Sequence, residues 1–146
     1  MKAIYIIGSL RNRELVIETG NKLRAIGMEG FDDWISPGPE ADDKWKEYSE
    51  ARGQNYGEAL KNWSAKHVYE FDKYHLDRCW GSILVCPAGK SCHLEFGYMI
   101  GKGKPGWIWL DDPDRWDVMY QFATRCAYNI DDIIDEIKDW PEKTST

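Results

Sequence analysis

Short apolar runs closed by glycine, proline or aspartate alternate along this chain with stretches of helical spacing. The first run, residues 3–8, is rich in β-branched residues and stops at Gly8-Ser9, which predicts a strand. Glu14 to Gly27 follows, with Val16, Thr19, Leu23 and Ile26 at helical spacing and Gly27 where a helix C-cap belongs. Met28 to Ile35 reads as a weaker second strand, stopped by the breaker run Ser36-Pro37-Gly38-Pro39. Ala41 to Gln54 is charged, carries Trp45 and Tyr48, and reads as an insertion or lid with a short helix. Asn55 to Arg78 predicts one long helix, with Tyr56, Leu60, Trp63, His67, Phe71 and Tyr74 forming a single buried stripe. Further on, Ser82–Cys86 and Trp107–Leu110 read as strands, Ser91–Lys102 as a helix and Arg115–Gln121 as a short helix. Ala123–Tyr128 completes the set as a last strand. Ile130, Ile133, Ile134 and Ile137 give an amphipathic C-terminal helix capped by Asn129 or Asp131.

Strands alternating with helices imply a parallel sheet covered on both faces. Five strands in this order predict an α/β protein with a flavodoxin-like, doubly wound five-stranded parallel sheet. Ligands of such sheets sit beyond the carboxyl ends of the strands, here the loops Gly8–Asn12 and Pro87–Ser91. The chain has 146 residues, 42% hydrophobic and 30% charged, which suits one domain (1–140) with a polar tail (141–146). No apolar run approaches the roughly 18–20 residues of a membrane span. The N-terminus reads as a strand rather than a secretory signal, so a cytoplasmic protein is expected. Cys79, Cys86, Cys92 and Cys126 are then expected as reduced thiols. The cysteines and histidines lack metal-type spacing, so neither a metal nor another cofactor is expected. A net charge of −6 argues against binding polymeric nucleic acid, though not against a small anion held by a local patch. Eight tryptophans and eight tyrosines point to a core plus an oligomer interface, with some placed to stack on a flat ligand.

The segment Cys86-Pro87-Ala88-Gly89-Lys90-Ser91-Cys92-His93-Leu94-Glu95-Phe96-Gly97-Tyr98 carries the most chemistry. It leads from a strand end through a Pro/Gly turn into a helix. Gly89 permits close backbone approach, the free amides of the helix start attract an anion, and Lys90 and Ser91 add a charge and a hydroxyl. A triphosphate-binding loop would need a glycine where Leu84 stands, so that reading fails. Glu95, near the helix start, is expected to be ionised by the helix dipole and fit to attack a sugar anomeric carbon. The plainer alternative is a solvated glutamate that stabilises the dipole. Asp72 borders an apolar stripe and could act as an acid of raised pKa, or simply pair with a lysine. Cys92 at the helix start could carry a thiolate, although His93 beside it points about 100° away and forms no dyad with it.

The run from Pro87 to Tyr98, followed by Gly101-Lys102-Gly103-Lys104-Pro105, resembles the signature of nucleoside 2-deoxyribosyltransferase-like proteins. Ile4-Tyr5-Ile6-Ile7-Gly8-Ser9-Leu10-Arg11-Asn12 is similar to that family's first strand and loop, and Phe71-Asp72 falls where the family has its catalytic aspartate. The resemblance covers the first strand and most of residues 70–110. It implies that Glu95 attacks C1′ of a 2′-deoxyribonucleoside, that Asp72 handles the proton of the leaving base, and that Tyr5 orients the carboxylate or sugar. A second base or water then resolves the ester. Trp80 stands where many relatives carry an aspartate.

Two branches of the superfamily differ in substrate. Transferases move the sugar between bases, while a hydrolase branch grips a 5′-monophosphate with a Gly-Ser-apolar-Arg loop and a serine near the nucleophile. Gly8, Ser9, Arg11, Asn12, Gly89, Lys90 and Ser91 look like the second. Phe31 and Trp34 are candidates for stacking on the base, and Tyr98 for a contact with substrate. The expected partner is a small nucleoside or nucleotide, and the family resemblance implies a homodimer or larger assembly. The competing readings are a catalytically silent nucleotide-binding or sensing domain and, more distantly, a thiol enzyme built on Cys92.

Overall fold

The segments expected as strands become β1 (Ala3–Ile7), β2 (Glu29–Phe31), β3 (Gly81–Val85), β4 (Gly106–Trp109) and β5 (Arg125–Ala127). The computed structural model describes residues 2–35 and 40–140; the breaker run 36–39 and the tail from 141 lie outside the described residues. The strands form one sheet in the order β2-β1-β3-β4-β5, every neighbouring pair parallel. Among the described residues six α-helices accompany it: α1 (Arg13–Ala25), α2 (Ala41–Ala51), α3 (Tyr56–Ala59), α4 (Trp63–Arg78), α5 (Lys90–Gly101) and α6 (Ile130–Asp139). This is the α/β, flavodoxin-like arrangement that the alternation of elements predicts.

Side chains alternate across the pleat, so each strand feeds two cores. Ile4 and Ile6 point to one face, where they meet Val16 and Leu23 of α1 and Ile133 and Ile137 of α6. Tyr5 and Ile7 point to the other, with Leu76 of α4 and Cys92, Phe96 and Met99 of α5. That parity sends the one polar ring of β1 beneath α4 and α5. Asn129 caps α6, its side chain accepting from Asp131 N.

The stretch expected as one long helix is two. Asn62 ends the turn after α3 and starts α4, its side-chain oxygen accepting from Ala65 N at 3.0 Å. Its amide donates to Ser49 Oγ at 3.1 Å and Gln54 Oε1 at 3.0 Å, tying α2 to the start of α4. The side-chain cap competes with continued helix and wins. The expected buried stripe is likewise overturned. Trp63 is 81% exposed, and Tyr56, Leu60, His67, Phe71 and Tyr74 are not buried either. The face that α4 turns inward carries Asp72 and Leu76, so Trp63, His67 and Tyr74 lie on its solvent side while Phe71 sits at the border beside Phe31.

Smaller departures have local causes. The second strand stops at Phe31, because Asp33–Ile35 forms a 3₁₀ turn whose Trp34 Nε1 donates to Ile6 O at 2.7 Å. Instead of a helix over 115–121 there is a 3₁₀ turn, Val118–Phe122, capped by the Asp117 side chain. The last strand shrinks to Arg125–Ala127. Among the described residues no helix is long and apolar enough to cross a membrane.

Candidate active site

Two helices present the same spacing to each other. From α4 come Tyr69, Asp72, Lys73 and Leu76; from α5 come Ser91, Leu94, Glu95 and Tyr98. Both sets run i, i+3, i+4, i+7, one helical face each. Between them lies a cleft of about 290 Å³ that holds the two carboxyls. Tyr5 rises from the sheet below, its hydroxyl near enough to the Glu95 carboxyl to lower that group's pKa. The structure therefore brings together Glu95, Asp72 and Tyr5, which lie far apart in the sequence.

Glu95 is the sixth residue of α5, in its second turn, so the helix dipole reaches it weakly. The expectation of a dipole-ionised carboxylate is overturned. Burial, reinforced by the charge of Asp72, pushes its pKa up to about 7, against a smaller lowering by the Tyr5 hydroxyl. Its Oε2 is buried with no hydrogen-bond partner among the described residues. Burial alone lifts Asp72 to about 6. The Tyr5 phenol is held far above its usual range by burial and by the charges of Glu95 and Asp72, so it stays a neutral donor. Two interacting carboxyls of this kind titrate as a unit, and one proton between them is the natural state near neutrality.

The two loops expected to hold an anion are adjacent. Asn12 Nδ2 donates to Cys86 O at 3.1 Å, fastening the loop after β1 to the end of β3. Ser9 caps the 3₁₀ turn Leu10–Asn12, its hydroxyl accepting from Arg11 N at 3.1 Å, and Arg11 itself is exposed. Gly8 is required by packing, since a Cβ there would lie 2.6 Å from Val16 Cγ2. Gly89 is the N-cap of α5, with open space where its Cβ would stand, and Lys90 and Ser91 are exposed in the first turn.

Other expected site residues are placed differently. Phe31 is no stacking platform: it is buried, with His75 stacked on it at 4.0 Å and Tyr5 at 5.2 Å. Trp34 is half-buried, its ring nitrogen committed to the β1 backbone. Tyr98 reaches the cleft, yet its hydroxyl donates to Asp77. The Cys92 thiol is buried and burial raises its pKa, which opposes the thiolate reading. Trp80 precedes the central strand β3, at the amino ends of the strands, packed near Trp107 under Lys2, and does not line the cleft.

Tyr69, Lys73, Leu76 and Leu94 were not among the residues expected here. Continuing the i, i+3, i+4, i+7 register from Asp72 and Glu95 would have found them. His93 is a further addition. Its Nδ1 pairs with Gly89 O at 2.7 Å and its Nε2 with Tyr120 OH at 2.9 Å, pinning the Val118–Phe122 turn to the start of α5. Among the described residues no cluster of three His, Cys, Asp or Glu is placed to hold a metal ion. No protein-family model matches the chain, and no curated protein matches it.

Proposed function

We propose that this protein cleaves the N-glycosidic bond of a 2′-deoxyribonucleoside, or its 5′-monophosphate, through a deoxyribosyl ester on Glu95. The observation that carries the reading is the Glu95 carboxyl, with one buried oxygen lacking a partner, in a cleft it shares with Asp72. An unpaired buried carboxyl oxygen is costly, and a purely structural glutamate has no reason to keep one. Glu95 in its ionised form attacks C1′, and the electron pair of the glycosidic bond leaves with the base. The base takes the proton held by Asp72. Water or a second base then attacks C1′, gives its proton to Asp72, and frees Glu95 as a carboxylate. Two easier displacements replace one difficult displacement, as in retaining glycosidases. A sugar without a 2′-hydroxyl bears the oxocarbenium-like charge more easily, which favours deoxy substrates.

The adjacent loops support hydrolysis of a 5′-monophosphate over free nucleosides. Ser9, Arg11, Gly89, Lys90 and Ser91 offer backbone amides, hydroxyls and cations beside the start of α5. The four thiols are free, in keeping with a cytoplasmic enzyme. The homodimer or larger assembly that the family resemblance implies would cover the exposed aromatic side of α3 and α4.

The test is release of free base from deoxynucleosides and their 5′-monophosphates, with and without an acceptor base, by wild type and Glu95→Ala. Release that vanishes in the variant supports the reading, and acceptor dependence separates transfer from hydrolysis. Activity on free nucleosides but none on 5′-monophosphates would sink the phosphate assignment. Binding without release of base would favour the silent nucleotide-binding domain.

A further inference from the structure

A second cavity, of about 390 Å³, opens where three neighbouring parallel strands end. Cys86 follows β3, Leu110 follows β4 and Tyr128 follows β5, and all three line it. Ligands of parallel α/β sheets gather at such carboxyl ends, and the volume falls within the range of small-molecule sites, roughly 300–1,000 Å³. The cavity shares no lining residue with the cleft of Asp72 and Glu95. The start of α5 divides the two. His93 is two residues from both Ser91 and Glu95, about 200° around the helix, so it turns away from the cleft and meets Tyr120 of the cavity wall. Its Nδ1–H donates to Gly89 O, which can only accept, so in the neutral ring Nε2 accepts from the Tyr120 hydroxyl. Tyr120 is thereby fixed as a wall.

The mouth of the cavity is aromatic and carries both signs of charge. Trp116 and Tyr128 line it with most of their surface open, 87% and 69% exposed. Asp117 is held by the Met119 amide at 2.8 Å. Among the described residues Asp111 and Arg115 join no ion pair, which leaves one acceptor edge and one donor edge. Residues 111–117 hold four aspartates and one arginine, a field that repels an anionic ligand. Open ring faces suit a flat, neutral heterocycle, Asp111 accepts its N–H, and Arg115 donates to a ring nitrogen or carbonyl. We propose that this cavity is a second binding site, for a free nucleobase stacked on Trp116 or Tyr128 with its polar edge on Asp111 and Arg115. The chemistry of the cavity stands apart from the glycosidic reading; that the protein's own reaction supplies the base rests on that reading.

The experiment is calorimetric titration of adenine, hypoxanthine, cytosine and thymine into wild type and Glu95→Ala. At least one base should bind once per chain, with a Kd below about 1 mM and equally in the two proteins. Trp116→Ala should weaken that binding about fivefold or more, the weight of one stacked base, while Trp116→Phe, which keeps a ring, should retain most of it. Asp111→Ala should cost a similar factor by removing the acceptor for N–H. Caffeine, a purine without any N–H, should bind several-fold more weakly than hypoxanthine. No saturable binding of any of the four bases overturns the proposal. So does binding that Trp116→Ala or Asp111→Ala leaves unchanged, which would put the base in the cleft, and so does equal binding of caffeine. Release of base from nucleotides is measured separately, so none of these results touches the glycosidic reading. Binding here without release from any substrate keeps the site and removes its supply.

Discussion

Asp72 on α4 and Glu95 on α5 open into one cleft, and the charge of the first raises the pKa of the second. Burial pushes Glu95 to about 7 and Asp72 to about 6, so between those values the pair holds one proton. The proposed chemistry needs that proton on Asp72, with Glu95 ionised.

A bell-shaped pH dependence of kcat/KM follows. Below about 6 both carboxyls are protonated and the nucleophile is lost; above about 7 both are ionised and the acid is lost. The maximum should fall between those values, where one proton remains. Asp72→Asn should remove the alkaline limb and lower the maximum by about 10²–10⁴-fold, the usual weight of general acid catalysis. A rate profile flat from pH 5 to 9 would contradict the assignment.

The same burial bears on stability. The folded-state pKa of Glu95 lies above its ordinary value of 4.5, so the folded protein holds a proton that the unfolded chain releases. Stability from this group is fullest below 4.5 and is lost as pH rises through about 7. Glu95→Gln, which keeps the shape without the charge, should therefore raise the melting temperature at pH 8 and change it little at pH 4. The gain at pH 8 should be up to about 3 kcal/mol. Thermal melts of the two proteins at both pH values measure it.

Gly8 and Gly89 should respond oppositely to alanine. A methyl at Gly8 meets Val16 Cγ2 at 2.6 Å and should cost about 1–3 kcal/mol in denaturant titration. At Gly89 nothing lies within 4 Å, so stability should stay within about 0.5 kcal/mol. With the phosphate held at the α5 start as proposed, KM for 5′-monophosphates should rise while the melt is unchanged.

Ile133 and Trp63 make the same point about where the core lies. Ile133 is fully buried between α6 and the sheet, and Ile133→Ala should cost about 2–5 kcal/mol. Trp63→Gln should shift monomer stability by no more than about 0.5 kcal/mol, despite removing the larger side chain. Urea unfolding of both variants decides.

The α/β alternation was legible because strands and breakers are local signals, and the parity of β1 already put Tyr5 opposite Ile4 and Ile6. The roles proposed for Glu95 and Asp72 were legible only through the resemblance, since spacing alone left each with a plain surface alternative. The inward face of α4 was misread for a physical reason. Tyr56, Leu60, Trp63, Phe71 and Tyr74 form a more hydrophobic stripe than Tyr69, Asp72, Lys73 and Leu76, and periodicity favours the greasier one. The polar face wins because it builds a cleft rather than a core, which a single strand of sequence cannot announce. The break at Asn62 was hidden likewise, since the cap depends on Ser49 of α2 and Gln54 of the loop after it as well as on its own neighbours.

The ties between α4 and α5 are unevenly distributed. Asp77 joins Tyr98 and Lys102, and Lys104 Nζ donates to the last carbonyls of α4, Leu76 O at 3.0 Å and Asp77 O at 2.7 Å. These contacts all gather at the C-terminal ends of the two helices. The pair is thus built like tongs with the pivot at one end and the jaws at the other, so a swing of either helix widens the gap most at Tyr69 and Ser91.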